Sequence, residues 1–315
     1  MDLCRGFCQT DVMPHRVTPL LLAFLLTFHI GFAADPVKKA PTMAEILSGS
    51  KLSDWRPLDP QNTLYLELAS GRIVIELAPA FAPAHVANIK ALVHEHYYDG
   101  LAIVRAQDNY VVQWGDPEAD KPTARKVDKA KRTLAAEFDH MLDPGLPFTR
   151  LADGDLYAPE VGFCNGFPVA RDPKANKMWL VHCYGMVGVG RDADPDSGGG
   201  TELYVVIGQA PRQLDRNVTL VGRVWQGIEL LSTLPRGTGP LGFYEKPDQR
   251  VTIKAIRMAA DVPADERSNL EILKTDTTLF QDLVESRRNR HEEWFHYQAG
   301  HIDVCNVPIP VRIAK

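Results

Sequence analysis

The stretch RAQDNYVVQWGD, residues 105–116, decides the fold of this 315-residue chain. Apolar residues before and after a polar turn predict two short strands, at residues 102–105 and 109–113. Gly115 and Asp116 close the stretch, and a long polar segment follows them. The stretch therefore forms the middle of a series of short strands that extends on both sides of it.

A second pair of strands lies upstream of this stretch. The apolar runs at residues 64–68 and 73–77 flank a turn that contains Gly71, which is typical of a β-hairpin. Glu67 and Glu76 alternate with the apolar residues of these runs. We therefore expect one face of the hairpin to be exposed to water.

The remaining pattern consists of short strands and two helices. Apolar residues recur at helical spacing over residues 83–97, with Pro83 suited to the first turn and Gly100 just beyond the end. Many short strands with only two helices among them predict an antiparallel barrel or sandwich and not a parallel α/β sheet. The further strands are predicted at residues 185–189, 203–207, 218–224 and 250–258, and the second helix at residues 227–234.

Two segments fall outside this pattern. Residues 117–180 are rich in Pro, Asp and Gly with little periodicity, and we interpret them as a structureless insertion. Residues 261–315 form a C-terminal extension in which leucines and other apolar residues from Leu270 to Val284 recur among charges. This pattern predicts an amphipathic helical tail that packs on the main domain. The main domain then spans residues 61–260.

The N-terminus has the pattern of a cleaved signal peptide. Basic residues precede an apolar run at residues 20–32, which is shorter than the ~20 residues of a membrane-spanning helix, and small residues follow it. We expect residues 1–33 to be removed, residues 34–60 to form a polar leader, and the mature protein to be periplasmic with no integral membrane segment. Met1 and Met13 are both open as the start, and an uncleaved anchor helix is the alternative.

Charge and cysteine content narrow the classes of partner. The net charge is only −5 and no basic cluster is present, so neither a nucleic acid nor an anionic lipid is expected as a partner. After signal cleavage Cys164, Cys183 and Cys305 would remain where disulfides persist. One bridge and one free thiol fit this odd number, and all three pairings stay open. No metal is expected, because the cysteines lack the spacing of zinc ligands.

Three separated blocks of the sequence resemble the cyclophilins. The family's pattern runs from a proline, through a helix with an asparagine and the motif Tyr-Tyr-Asp-Gly, to a spaced arginine, and residues 83–116 match it in register. Residues 136–138, 185–190, 200–204 and 214–224 are similar to the remaining core segments. The resemblance thus covers residues 62–258 apart from the insertion. The matching positions of the last block of the motif are Arg105, Tyr110, Val111, Gln113, Gly115 and Asp116.

The resemblance implies a mainly-β fold: a closed eight-stranded antiparallel barrel, capped by two helices, with a substrate groove on its outer face. It implies a peptidyl-prolyl cis/trans isomerase, or rotamase, that acts without a cofactor on X-Pro bonds of exported proteins and assists their folding. Arg105 would be catalytic by donating to the prolyl nitrogen of the twisted bond, and Gln113 would bind the substrate backbone. The implied substrate-binding residues are Tyr110, Val111, Gly190, Glu202, Tyr204, Gln213 and Leu214.

The sequence departs from the family's pattern in the pocket walls. Because the arginine is kept while the walls change, we expect reduced or differently selective isomerase activity and weak sensitivity to cyclosporin. The alternative is a cell-envelope chaperone that binds proline-containing peptides and catalyses little. The replacements are Val111 for a methionine, Tyr110 and Tyr204 for phenylalanines, Gly190 for an alanine, Glu202 for a glutamine, Gln213 for a tryptophan or similar ring, and Val218 for a histidine.

Overall fold

A computed structural model describes residues 40–314 of the chain. The predicted signal peptide, residues 1–33, lies outside these residues, as does the first part of the predicted leader. The strands of the described residues form three antiparallel sheets, of nine, five and three strands. Within residues 40–314, no helix has the length and apolar character that crossing a membrane requires.

The regular elements are short strands interrupted by few helices, as the sequence pattern predicts. The four α-helices of residues 40–314 are α1 (Met43–Ser48), α2 (Pro83–His94), α3 (Glu229–Ser232) and α4 (Thr278–Arg288). The strands of the same residues are β1 (Trp55–Pro57), β2 (Thr63–Leu68), β3 (Gly71–Leu77), β4 (Ala102–Ala106), β5 (Val111–Gly115), β6 (His140–Met141), β7 (Thr149–Arg150), β8 (Glu160–Cys164), β9 (Phe167–Asp172), β10 (Lys177–Leu180), β11 (Met186–Val189), β12 (Leu203–Val206), β13 (Leu220–Gln226), β14 (Val251–Thr252), β15 (Ala255–Met258), β16 (Leu270–Leu273) and β17 (Val311–Ile313).

The nine-stranded sheet carries the main domain. Its strands follow the order β14-β4-β5-β12-β11-β13-β3-β2-β15, and the sheet curls into a half-barrel. The closed eight-stranded barrel that the sequence predicts is not confirmed. The segment predicted as one strand at residues 250–258 is divided instead, because β14 pairs with β4 whereas β15 pairs with β2.

Side chains that alternate along the strands fill the inside of this sheet. Ile73 and Ile75 of β3 are fully buried there, together with Val112 and Trp114 of β5. Helices α2 and α3 add apolar side chains, among them Ile89, to the same core. Each such side chain stabilises the fold by ~1.5–3 kcal/mol when it leaves water. The two helices that the sequence predicts therefore do pack on the curled sheet.

The start of α2 is completed from a distant part of the chain. The residue before the helix, Ala82, has no side chain that can cap it, and Pro83 occupies the first turn. The carboxylate of Glu137 accepts hydrogen bonds from the backbone N–H groups of Ala84 at 3.0 Å and His85 at 2.9 Å. A carboxylate at a helix N-terminus also interacts favourably with the helix dipole. Glu137 therefore anchors the beginning of the insertion to the main domain.

The outer face of the β2–β3 hairpin is buried, and the predicted wet face is wrong. Tyr65 and Val74 point to that face and belong to a second apolar core. Glu76 is 7% exposed and accepts two hydrogen bonds from the guanidinium of Arg56, at 2.7 and 2.8 Å. The insertion and the extension cover this face of the hairpin. Glu76, which alternates with apolar residues in β3, is therefore a buried carboxylate paired with Arg56 and is not exposed to water.

The insertion is a folded sheet and not a structureless segment. Strands β6 to β10 form a five-stranded antiparallel sheet with the order β6-β10-β9-β8-β7. Asn165 and Gly166 turn the chain between β8 and β9 with φ angles of 52° and 88°, the left-handed conformation that a two-residue hairpin turn requires. Phe163 of β8 packs edge-on against Phe280 of α4, with ring centroids 5.3 Å apart. The insertion therefore shares its core with the extension.

The extension is only partly the helical tail that the sequence predicts. Leu270–Leu273 is strand β16, and it pairs with β1 on one side and β17 on the other. The helix α4 begins later, where the side chain of Thr277 accepts a hydrogen bond from the N–H of Phe280 at 3.2 Å. Helix α1 packs against α4. The described part of the predicted leader therefore contributes a helix and a strand to the extension.

One disulfide joins the extension to the main domain. Cys183, in the loop before β11, is bonded to Cys305, which follows it by 122 residues. Cys164 is the remaining thiol of residues 40–314; it is buried, and burial raises its pKa to about 11. Of the three pairings that the sequence leaves open, the structure contains Cys183–Cys305.

Candidate active site

Three neighbouring strands bring the predicted polar residues together on the outer face of the sheet. Gln113 of β5 lies opposite Tyr204 of β12 on one side and Arg105 of β4 on the other. The pairing of β4 with β5 shifts between Ile103 and Arg105, so that β4 holds one extra residue there. Such a bulge re-aims the side chains that follow it. Ile103 consequently fills the inside of the sheet, while Arg105 lies beside Gln113 outside it.

Arg105 is held by uncharged oxygen atoms. Its Nε donates to the backbone carbonyl of Leu241 at 2.7 Å, Nη1 donates to Oε1 of Gln113 at 3.1 Å, and Nη2 donates to Oε1 of Gln107. The rings of Tyr110 and Phe243 lie 5.5 and 5.3 Å from its guanidinium carbon. Burial lowers the pKa of Arg105, and the charge interaction with Tyr110 opposes this change. The guanidinium is therefore fixed in position without being neutralised by these partners.

Gln113 is oriented from both ends of its amide. Its Oε1 accepts from Arg105, and its Nε2 donates to Oε2 of Glu202 at 2.7 Å. Gly190 lies against this pair, because a Cβ there would be 3.0 Å from the Cβ of Glu202 and 3.3 Å from Nε2 of Gln113. Glu202 therefore fixes which way the amide of Gln113 points, and through it the position of Arg105.

Burial raises the pKa of the Glu202 carboxyl, although the hydrogen bond from Gln113 opposes the shift. The negative charges of Asp120, Asp192 and Asp116 raise it further. A carboxyl whose pKa is higher in the folded than in the unfolded protein binds more protons when folded. Its contribution to stability therefore falls as the pH rises above 4.5, the ordinary value, through the raised pKa.

We expect Glu202→Gln to stabilise the protein at pH 7, because the amide keeps an acceptor for Gln113 without a buried charge. The gain should disappear at pH 4, where the parent carboxyl is protonated as well. Urea unfolding of both proteins at the two pH values measures this difference. An equal difference at pH 4 and pH 7 would show that the charge of Glu202 is not its cause.

A small apolar cluster lies next to these polar residues. Val111, Tyr204 and Val206 are buried in it, and the half-buried Tyr110 and Val218 pack against them. The strand pairing explains the grouping. Val206 of β12 lies opposite Val111 of β5, and Tyr204 lies opposite Gln113, so these side chains share the outer face of the two strands. The structure thus brings together three of the predicted substrate-binding residues.

The other four predicted substrate-binding residues lie outside this cluster: Gly190 and Glu202 lie beside Gln113, and Gln213 and Leu214 lie on a separate turn. Gln213 is exposed and Leu214 is half-buried, and both lie on the short 3-10 helix Arg212–Leu214. Asp215 follows that turn and accepts hydrogen bonds from His182 and Arg212. The turn therefore presents an amide, and not an aromatic ring, where the family has its tryptophan.

The ring of Tyr204 occupies space that only a glycine at position 188 leaves open. A Cβ on Gly188 would lie 2.3 Å from both Cζ and the hydroxyl oxygen of Tyr204. No side chain atom approaches another that closely without one of them moving. Gly188 therefore sets the position of Tyr204 in the apolar cluster.

We expect Gly188→Ala to displace the Tyr204 ring and to lower kcat/KM by about tenfold, since a misplacement of ~1 Å can cost up to about 100-fold. Overpacking should also lower the free energy of unfolding by about 1–3 kcal/mol. Peptide isomerisation rates and urea unfolding measure the two effects. Gly154→Ala is the matched control, because no atom lies within 4 Å of a Cβ there. Equal rates for both variants and the parent would contradict the placement of Tyr204 in the site.

Several residues around the site are not predicted from the sequence. Leu241 and Phe243 reach Arg105 from a loop 136 residues away, and the motif Gly-Pro-Leu-Gly at residues 239–242 indicates only a turn. His182 contacts the hydroxyl of Tyr204 from the loop before β11. Nothing in the sequence near His182 signals this contact.

A curled antiparallel sheet with an arginine, a neighbouring glutamine and an apolar cluster on its outer face is what the resemblance to the cyclophilins predicts for a peptidyl-prolyl cis/trans isomerase. The chain belongs to the cyclophilin family: the family model "Cyclophilin type peptidyl-prolyl cis-trans isomerase/CLD" matches residues 63–258.

Comparisons with individual proteins agree with this assignment. The chain is 28% identical over 200 residues to a probable peptidyl-prolyl cis-trans isomerase of Brucella suis, across 62% of this chain and 85% of that protein. It is 26% identical over 179 residues to peptidyl-prolyl cis-trans isomerase-like 1 of Bos taurus, across 56% of this chain and 80% of that protein.

A solved structure is similar over a longer part of the chain. The crystal structure of the cyclophilin AquaCyp293 from Hirschia baltica has a TM-score of 0.65 and 26% sequence identity, and covers 87% of this chain and 99% of that one. Because the family model matches only residues 63–258, this similarity extends beyond the segment that it matches.

Proposed function

We propose that this isomerase acts on X-Pro bonds of exported polypeptides at the outer-face site formed by Arg105, Gln113 and the apolar cluster around Val111 and Tyr204. The observation that carries the proposal is the fixed, uncompensated guanidinium of Arg105 beside that cluster. An apolar surface with a few oriented donors suits a prolyl ring and the amide bond before it.

The chemistry that this site must provide is modest. Rotation about the prolyl amide breaks its resonance, at a barrier of ~18–20 kcal/mol, and forms no new covalent bond. In the twisted state the prolyl nitrogen regains a lone pair, which a positive donor binds more strongly than it binds the planar amide. A guanidinium has five N–H donors, of which three are used by Leu241, Gln113 and Gln107. Two therefore remain for the substrate.

Gln113 would bind the substrate backbone next to the arginine, while the apolar cluster receives the prolyl ring. Tyr110 and Val218 at its margin are half-buried and thus accessible from solvent. The exposed amide of Gln213 replaces an aromatic wall, so the pocket is more open on that side. We expect the site to hold substrates more weakly than a pocket closed by an indole, and to bind cyclosporin weakly.

We also infer that the nine-stranded sheet closes into a barrel through residues 251–258. The N–H of Ile253 donates to the carbonyl of Leu101, before β4, at 2.8 Å, and the N–H of Lys254 donates to Glu67 in β2 at 2.8 Å. Consecutive residues thus bond to opposite ends of the sheet. Counting β14 and β15 as one interrupted strand gives eight strands.

Export from the cytoplasm is part of the proposal. The apolar run at residues 20–32 supports it, and so does the disulfide between Cys183 and Cys305, since such bonds persist outside reducing compartments. Mass spectrometry of the protein from fractionated cells tests it. A chain that begins near Asp35 in the periplasmic fraction is expected, whereas a full-length reduced chain in the cytoplasm would contradict it.

An isomerisation assay on Ala-Pro peptides tests whether the protein is catalytically active and measures how active it is. Exchange NMR on the same peptides should show cross-peaks between cis and trans forms at substoichiometric enzyme. Binding shifts without exchange cross-peaks would instead support a chaperone that grips proline-containing segments and catalyses little. A parent protein that neither binds nor isomerises these peptides would overturn both functions.

A further inference from the structure

The hydroxyl of Tyr204 is held by a buried chain of polar side chains behind the apolar cluster. The hydroxyl oxygen lies 2.9 Å from Nε2 of His182, and Nδ1 of His182 lies 3.0 Å from Oδ1 of Asp215. His182 has no exposed surface, and Tyr204 is 6% exposed. The two rings are nearly parallel, with an interplanar angle of 11°. The contact is therefore made inside the protein, away from solvent.

The positions of the protons in this chain follow from its two ends. Burial raises the pKa of Asp215, but the hydrogen bond from His182 and the charge of Arg212 outweigh it, so that the pKa lies below its usual range. An ionised carboxylate only accepts, and Nδ1 of His182 therefore donates to it. Burial raises the pKa of Tyr204 well above its usual range, so the hydroxyl keeps its proton. Nε2 of His182 then accepts the hydrogen bond from Tyr204.

Further ion pairs fix the far end of the chain. Arg212 donates from Nε to Oδ2 of Asp215 at 2.7 Å, and from Nη1 and Nη2 to Asp155 at 2.7 and 3.0 Å. The side chains of all three residues are almost fully buried. The backbone N–H of His182 also donates to Oδ1 of Asp215, at 3.0 Å. His182 is consequently held by both its ring and its backbone.

We propose that His182 and Asp215 are positioning residues that hold Tyr204 in the wall of the proline-binding site. The cluster around Tyr204 is apolar, and a buried hydroxyl without a partner there carries a desolvation cost. His182 accepts a hydrogen bond from the hydroxyl on the side away from the cluster and so keeps the ring in place. The inference rests on the proposed function, because it assumes that this cluster receives the prolyl ring.

The test is a double-mutant cycle with His182→Leu and Tyr204→Phe, measured as kcat and KM on an Ala-Pro peptide. His182→Leu should lower kcat/KM by about tenfold, mainly through KM, because the unpaired hydroxyl moves the ring. Tyr204→Phe keeps the ring but removes the hydroxyl that needs a partner, and its measured activity is the reference for the double variant. The double variant should regain the activity of Tyr204→Phe alone, which is the signature of direct coupling.

A merely structural role of His182 gives a different result. If the double variant is as impaired as His182→Leu, the loop and not the tyrosine depends on His182, and the inference is overturned. Arg105→Ala, assayed in parallel, distinguishes a failure of the proposed function from a failure of the inference about His182. An active Arg105→Ala protein would contradict the proposed site, whereas an inactive one beside a fully active His182→Leu protein would contradict only the inference.

Two smaller substitutions keep the test decisive if His182→Leu does not fold. In His182→Gln, the side-chain amide reaches the position of Nε2 and can still accept a hydrogen bond from Tyr204. In His182→Asn, the shorter amide stays near the position of Nδ1 and keeps only the contact with Asp215. We expect the Gln variant to be the more active of the two. Nitrogen-15 NMR of the parent should also show Nδ1 protonated and Nε2 unprotonated; the opposite tautomer, or equal activities, would overturn the inference.

Discussion

Replacing Arg105 by alanine is expected to lower kcat/KM for an Ala-Pro peptide by about 10- to 100-fold. A charge-assisted hydrogen bond is worth about 1.5–3 kcal/mol, and it is lost here in the twisted state of the bond. The loss should fall mainly on kcat, because the planar substrate makes less use of the guanidinium. A coupled or NMR isomerisation assay measures it, together with the melting temperature of both proteins.

Arg105→Lys is the matched variant for this prediction. It keeps the positive charge but cannot donate at once to Leu241, Gln113 and the substrate, since an ammonium lacks the planar fork of the guanidinium. We expect it to be nearly as impaired as the alanine variant. Full activity of the lysine variant would mean that charge alone suffices, and full activity of the alanine variant would remove Arg105 from the mechanism.

Removing the disulfide with Cys183→Ser and Cys305→Ser together is expected to lower the free energy of unfolding by about 4 kcal/mol. The bond closes a loop of 122 residues, and long loops gain most from a cross-link that restricts the unfolded chain. It also ties the extension to the loop that carries His182. Urea unfolding of the oxidised parent and the double variant measures the difference.

Cys164→Ala is the control, because this thiol is buried and unbonded in residues 40–314. It removes a sulfur atom from the core and should lower the free energy of unfolding by about 1 kcal/mol or less. This loss is smaller than the one expected when the bridge is removed. A parent whose stability does not change when it is reduced would show that the bridge does not stabilise the fold. A larger effect of Cys164→Ala would point to this residue as the bonded one.

The elements that the sequence predicts well are those formed by neighbouring residues. The β2–β3 hairpin, helix α2 and the pair β4–β5 lie within a few residues of their predicted bounds, because their apolar spacing and turn residues are local. The prediction that the insertion is structureless is wrong for a different reason. Asn165 and Gly166 carry a hairpin signal that the surrounding proline and aspartate content obscures. Their sheet also needs β6, which comes earlier in the chain and pairs with β10.

Long-range pairing limits the prediction of the extension and of the site. Leu270–Leu273 is a short apolar run that fits a helix or a strand. Its pairing with β17 and with β1, which lies more than 200 residues earlier, makes it a strand. In the site, the family motif predicts which residues share the outer face. The carbonyl of Leu241 and the ring of His182 come from other parts of the chain, and no local pattern reports such contacts.

The two ends of the nine-stranded sheet determine whether it can pair with other extended chains. Its two edge strands, β14 and β15, are two and four residues long, and only Ile253 and Lys254 separate them. An open edge of a sheet offers unpaired backbone groups to any extended polypeptide, and this is a common route to aggregation. In the proposed barrel, residues 251–258 hold each edge next to the other. The nine-stranded sheet, closed in this way, would present no free edge on which an extended polypeptide could assemble.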